Sequence, residues 1–131
     1  MQILVDSSVW IEFFTGAASR QANYLRSLLG KQALVVADQT LAEVLAGLPD
    51  ETHRKQAQEA LLKFWLIEIG GFDLAVKSAV SYHTFRSRGI PVRMAECRLA
   101  TYCIDQHFAL LHSSPGYEPF ERYLGLAVAR G

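Results

Sequence analysis

Three acidic side chains, Asp6, Glu43 and Glu96, stand where the surrounding sequence is mostly apolar. Carboxylates that gather in a partly buried site repel one another strongly unless a divalent cation neutralises them. A cluster made only of oxygen ligands suits Mg²⁺ or Mn²⁺ and not zinc. If the fold brings the three residues together, the chemistry that they indicate is divalent cation binding.

Each of the first two acids also has a plainer role. Asp6 ends the apolar run 2–5, and open parallel sheets bind ligands beyond the carboxyl ends of their strands, but an aspartate there can equally cap a helix. Glu43 has small neighbours three and four residues away, which would let its carboxylate approach another element closely. The alternative for Glu43 is a solvated helix face.

Glu96 falls in the first turn of a helix predicted over 94–106, on the stripe that includes Leu99. An acid on the buried side of a helix is neutralised, paired or bound to a cation, because a lone buried carboxylate is costly. The plainer role is a favourable position near the positive end of the helix, aided by Arg93 or Arg98.

Short apolar segments that alternate with helical ones must position these acids. The clearest helix spans 72–88, where Leu74, Val80 and Phe85 recur at helical spacing. Alternation of this kind predicts an α/β fold with a parallel sheet covered on both faces. The remaining predictions are strands at 2–5, 33–36, 65–69 and 108–111, an edge strand at 126–128, and helices at 9–14, 18–29, 39–48 (capped by Asp38), 50–62 and 117–124.

Length and composition limit the class of protein. The 131 residues fit one domain, 1–131, and 50% hydrophobic with 20% charged residues excludes a disordered chain. The 13 basic and 13 acidic residues exclude a generic polybasic nucleic-acid binder, although not a nuclease. We expect no membrane span, no secretory signal and no disulfide between Cys97 and Cys103, which favours the cytoplasm.

Six segments, in the same order along the chain, resemble PIN domains and specifically VapC-type toxins. The first reads Ile-Leu-Val-Asp-Ser-Ser-Val-Trp-Ile and includes Asp6, and the second reads Leu-Ala-Glu-Val-Leu-Ala-Gly and includes Glu43. The similar segments are 3–11, 41–47, 88–93, 99–104, 109–113 and 119–126.

The resemblance implies a three-layer α/β/α fold with a short parallel sheet and about six to seven helices. It also implies Mg²⁺-dependent (or Mn²⁺-dependent) cleavage of RNA, a VapB-type antitoxin as partner, and a homodimer. Asp6, Glu43 and Glu96 match the family's first three acids, and they are therefore the expected catalytic and metal-binding residues.

The chain departs from the family at its third and fourth acidic positions. Glu96 stands where the family usually has aspartate, and the segment before it is one residue short. The family often reads His-Ser-Asp-Arg-Asp-Phe at the fourth position, whereas this chain reads His-Ser-Ser-Pro-Gly-Tyr over 112–117. Ser114 and Gly116 thus replace both aspartates, and Glu118 is not expected to reach the site.

Two functional hypotheses therefore stay open, and a third is weak. The chain is either a VapC-like endoribonuclease weakened by the missing acid, or a catalytically silent PIN-like module that binds an antitoxin or RNA. A phospho-accepting receiver domain is disfavoured, because no acid pair follows the first strand and no lysine follows a late apolar strand.

Several other side chains have two interpretations. Ser7 or Ser8 either orients Asp6 or a metal-bound water, or caps a helix. The aromatic stripe of Trp10, Phe13 and Phe14 is either core or a groove for a partner's amphipathic segment. The arginines near the third acid either contact RNA phosphates or are scattered surface charge; they are Arg86, Arg88, Arg93 and Arg98. The histidines show no metal-ligand spacing; they are His53, His83, His107 and His112.

Overall fold

The computed structural model describes residues 1–131, and a four-stranded parallel sheet lies at its centre. The chain adds strands on one side of β1 and then returns to place β4 on the other side, in the order β3-β2-β1-β4. This reversal creates a switch point beside β1, where open α/β sheets bind ligands. The strands are β1 (Ile3–Val5), β2 (Leu34–Ala37), β3 (Trp65–Ile67) and β4 (Ala109–Leu111).

Seven α-helices cover the two faces of the sheet. Because successive strand residues point to opposite faces, Leu4 and Leu110 pack into the apolar cluster on one face, and Val5 and Leu111 into the cluster on the other. The helices are α1 (Ser7–Phe14), α2 (Arg20–Leu28), α3 (Asp38–Gly47), α4 (Glu51–Leu61), α5 (Gly71–Ser87), α6 (Met94–Gln106) and α7 (Glu118–Leu124).

The first four helices pack on one face, and the last three on the other. This arrangement confirms the predicted three-layer α/β/α fold, its parallel sheet and its helix number. Trp10 of the aromatic stripe is 1% exposed and belongs to the core, whereas Phe13 and Phe14 are half-buried against it. None of the helices is both long and apolar enough to cross a membrane.

The predicted elements shift by at most two residues at their ends, and three details are wrong. The segment 126–128 forms a single bridge from Val128 to Leu110 instead of a strand. Val80 is 62% exposed, because no other element covers that side of α5. Asp38 is the first residue of α3 and not its cap, since its carboxylate accepts a hydrogen bond from the Ile69 N–H (3.0 Å).

Candidate active site

Asp6 caps a helix and also stands at the carboxyl end of a central strand. It follows β1 directly, and its backbone N–H donates to the Leu111 carbonyl (2.8 Å), which joins the ends of β1 and β4. Its side chain is the N-cap of α1, is 4% exposed and accepts on Oδ2 from the N–H (3.1 Å) and hydroxyl (2.6 Å) of Ser8. Asp6 therefore stands at the switch point, and Ser8 is the serine that orients it.

Glu43 lies near the negative charges of the other two acids and is not on a fully solvated helix face. It is half-buried on α3, and its Oε1 accepts from the Ser7 hydroxyl (3.2 Å). Burial raises the pKa of Glu43, and the charges of Asp6 and Glu96 raise it further, while Ser7 and Arg93 oppose them. Negative charge is thus crowded at this carboxylate.

Glu96, like Asp6, accepts three hydrogen bonds. It is 5% exposed in the first turn of α6, where its Oε1 accepts from the backbone N–H of Arg93 (3.2 Å). Its Oε2 accepts from Arg93 Nη2 (3.2 Å) and from the Ser114 hydroxyl (3.0 Å). Arg93 is therefore the basic partner of Glu96, and the alternative pairing with Arg98 is wrong.

The loop after β4 surrounds the acids with hydrogen-bond donors. Besides the Ser114 contact, the Tyr117 hydroxyl donates to Oδ1 of Asp6 (2.8 Å). The Ser113 N–H donates to the Ser8 hydroxyl oxygen (3.0 Å), and the Ser113 hydroxyl donates to Glu12 (2.7 Å). A loop that lacks the family's aspartates thus supplies hydroxyl groups to Asp6 and Glu96.

Tyr117 and His112 have roles at the site that the sequence analysis missed. The Tyr117 ring packs on His112 at 4.9 Å between centroids, and His112 Nδ1 accepts from the Ser114 N–H (3.2 Å). Burial lowers the pKa of His112, and both burial and the neighbouring Asp6 raise the pKa of Tyr117. The sequence did hold one signal for Tyr117: a tyrosine, with its hydroxyl, stands where the family pattern has phenylalanine.

The three carboxylates lie near enough at one edge of the sheet for the charges of Asp6 and Glu96 to act on Glu43, but they do not form a coordination shell. No group of three or more His, Cys, Asp or Glu side chains stands at metal-holding distance. Each still has an acceptor site to spare, because Glu43 Oε2 accepts no hydrogen bond and Asp6 Oδ1 and Glu96 Oε1 accept one each.

The charge and chemistry of this donor set fit a hard divalent cation. The three carboxylates together with Arg93 carry a net charge of two negatives, which one Mg²⁺ or Mn²⁺ would balance. Oxygen ligands are those that such ions prefer. Asp6, Glu43 and Glu96 are the residues that would hold the ion.

A cavity of about 360 Å³ opens beside Glu96 and has two arginines in its lining, Arg86 and Arg93. The loop after β4 forms another wall through Ser114 and Gly116. Glu118 does not reach the acids, as expected, because it turns outward and pairs with Arg122 (3.5 Å). The cavity therefore places positive charge beside the Glu96 carboxylate.

No family model matches the sequence, but solved structures match nearly its whole length. VapC20 of Mycobacterium tuberculosis, described as a toxin that cleaves the sarcin-ricin loop, matches with a TM-score of 0.75 and 13% identity over 98% of this chain and 99% of that one. VapBC2 of Rickettsia felis, bound to a promoter DNA fragment, has a TM-score of 0.74 and 13% identity over 98% of each chain.

VapBC-1 of nontypeable Haemophilus influenzae has a TM-score of 0.71 and 16% identity, over 99% of this chain and 98% of that one. At such identities the likeness establishes the fold. The order of the elements, the parallel sheet and its helical layers therefore identify the chain as having the PIN-domain fold of VapC-type toxins.

Proposed function

We propose that this chain is a VapC-like toxin, an endoribonuclease that depends on Mg²⁺ or Mn²⁺ and is weakened by the loss of the fourth acid. The observation that carries the proposal is the hydrogen-bond network beside the switch point: Glu43 accepts from Ser7, which follows Asp6, while Ser114 and Tyr117 of one loop donate to Glu96 and Asp6. The description of the similar VapC20 as a cleaving toxin supports RNA as the substrate.

The chain's own residues would divide the work of phosphodiester hydrolysis. Bound Mg²⁺ supplies water of lowered pKa and polarises the phosphoryl group. Ser8 and Tyr117 fix the orientation of Asp6, and Ser7 that of Glu43. Arg86 and Arg93, of which the latter bonds to Glu96 through Nη2, line the cavity beside the acids, where guanidinium groups can bind RNA phosphates.

We also propose a VapB-type antitoxin as the protein partner and a homodimer as the assembled state. The antitoxin is supported by the similar solved structures, several of which are described as VapBC or toxin–antitoxin complexes, whereas the homodimer rests on the resemblance to VapC-type toxins alone. Co-expression with the product of an adjacent small reading frame, followed by size-exclusion chromatography, tests both proposals.

The competing proposal is a silent module that binds an antitoxin or RNA without turnover. Its support is that Glu96 already accepts three hydrogen bonds and has its charge offset by Arg93. A carboxylate engaged in this way can bind a cation only at the lone pairs that its donors leave free, and the charge of Arg93 weakens that binding.

RNA cleavage and Mn²⁺ calorimetry on the purified chain distinguish the two. We expect Mn²⁺ binding and cation-dependent cleavage, and a loss of cleavage of about a hundredfold or more in Asp6→Asn. The matched control is Glu59→Gln, which neutralises an exposed acid on α4 and should change neither property.

Unchanged cleavage by the folded Asp6→Asn variant would refute the site. Cleavage and Mn²⁺ binding that are both absent from the wild-type chain would favour the silent module. Circular dichroism of each variant separates loss of function from loss of fold.

A further inference from the structure

Gly116 lies directly against the carboxylate of Glu96. A Cβ atom added at residue 116 would stand well under 3.0 Å from both oxygens and from the carboxyl carbon of Glu96, a separation that real Cβ atoms essentially never show. A side chain at residue 116 and the carboxylate of Glu96 therefore exclude each other from the same volume.

The backbone does not itself require glycine at residue 116. Gly116 does not have a positive φ. Gly125, by contrast, ends α7 with a φ of 77°, in the left-handed region. An alanine could adopt the backbone conformation of residue 116 if the Glu96 carboxylate were elsewhere. The absence of a side chain at residue 116 is thus required by the position of the Glu96 carboxylate and not by the backbone conformation.

The donors around this volume do not depend on which residue supplies the carboxylate. Arg93 reaches it from the start of α6, and Ser114 from the loop only two residues before Gly116. Glu96 is 5% exposed there, so a carboxylate in this place is enclosed and oriented. The carboxyl carbon of an aspartate lies one bond, about 1.5 Å, beyond its Cβ, which is within reach of the same volume.

We propose that Gly116 is a positioning residue for the candidate metal site, because its missing side chain gives the Glu96 carboxylate its place. The same place accepts a carboxylate from residue 116 when residue 96 has none. Either residue 96 or residue 116, but not both, can then supply the carboxylate that occupies this place. This inference rests on the proposed function, since it treats Glu96 as a ligand.

Thermal denaturation in EDTA tests the steric half of the proposal without any metal. Gly116→Ala should lower the melting temperature by roughly 3–15 °C in the wild-type background, because the Glu96 carboxylate must move away from Arg93 and Ser114 and its hydrogen bonds to them are lost. The loss should persist in Glu96→Gln, which keeps the volume, and largely disappear in Glu96→Ala, which removes it. Equal losses in all three backgrounds would overturn the proposal.

Mn²⁺ calorimetry tests the exchange. Glu96→Ala should bind Mn²⁺ at least about tenfold more weakly than the wild type, and the double variant Glu96→Ala/Gly116→Asp should recover most of that loss. The matched control, Glu96→Ala/Gly116→Asn, restores the volume without the charge and should not recover it.

The outcomes separate this inference from the proposed function. A wild-type chain that binds no Mn²⁺ overturns the proposed metal site and the positioning role with it. A wild-type chain that binds Mn²⁺, together with a double variant that binds no better than its asparagine control, overturns the exchange alone.

Discussion

The Tyr117 hydroxyl holds Asp6 in a buried environment, so Tyr117→Phe should reduce stability measurably. The hydroxyl donates to Asp6 Oδ1 at 2.8 Å, and the two residues are 3% and 4% exposed. A hydrogen bond to a charged group contributes about 1.5–3 kcal/mol. Because 1 kcal/mol shifts the melting temperature of a chain of about this length by about 3–5 °C, we expect a loss of about 5–15 °C in EDTA.

Differential scanning calorimetry measures this loss, with Tyr102→Phe as the matched control. Phenylalanine retains the ring that packs on His112, so the variant removes the hydroxyl and little else. The Tyr102 ring packs on Phe108, and its hydroxyl makes no hydrogen bond to another residue. The control should therefore leave the melting temperature nearly unchanged.

The same comparison in saturating Mn²⁺ connects Tyr117 to the cation. The loss should be smaller there, because a cation can bind the Asp6 oxygen that has lost its donor. An unchanged melting temperature in EDTA would refute the stabilising role of the hydroxyl. An identical loss with and without Mn²⁺ would contradict the assignment of Asp6 as a cation ligand.

Two further predictions concern neighbouring groups. Burial and the charge of Asp6 raise the pKa of Glu43, so the folded chain favours the protonated carboxyl. The stability that this gives is complete below the ordinary carboxyl pKa of 4.5 and is lost as the pH rises through the raised pKa. Glu43→Gln should thus be more stable than the wild type at pH 7 in EDTA and lose this advantage below about pH 4; an advantage independent of pH would contradict it. Ser8→Ala removes the hydroxyl between Asp6 and Ser113 and should lower the free energy of unfolding in urea by about 1–3 kcal/mol, whereas the exposed Ser27→Ala should change it little, and equal effects would count against the link.

Most of the fold follows from local patterns in the sequence. The runs around Leu4, Val35 and Leu110 are apolar on both faces because helices cover both sides of the sheet. Val80 was misplaced because α5 carries apolar residues on several sides, and only the packing of the whole chain decides which side is covered.

The candidate acids stand out in the sequence because they interrupt apolar patterns, whereas their hydrogen-bond partners come from distant segments and follow no periodic pattern. Tyr117 meets Asp6 across 111 residues, and Ser114 meets Glu96 across 18. The pairing of Glu96 with Arg93 follows from local geometry, since residues three apart share one side of a helix end and Arg98, two residues on, does not.

Diffraction from crystals grown with Mn²⁺, recorded at the manganese absorption edge, tests most directly whether three distant carboxylates share one ion. We expect an anomalous peak with one oxygen each from Asp6, Glu43 and Glu96 at about 2.0–2.3 Å. A map without a peak at the carboxyl edge of the sheet, or with a peak that only one of these side chains touches, would contradict the proposed metal site.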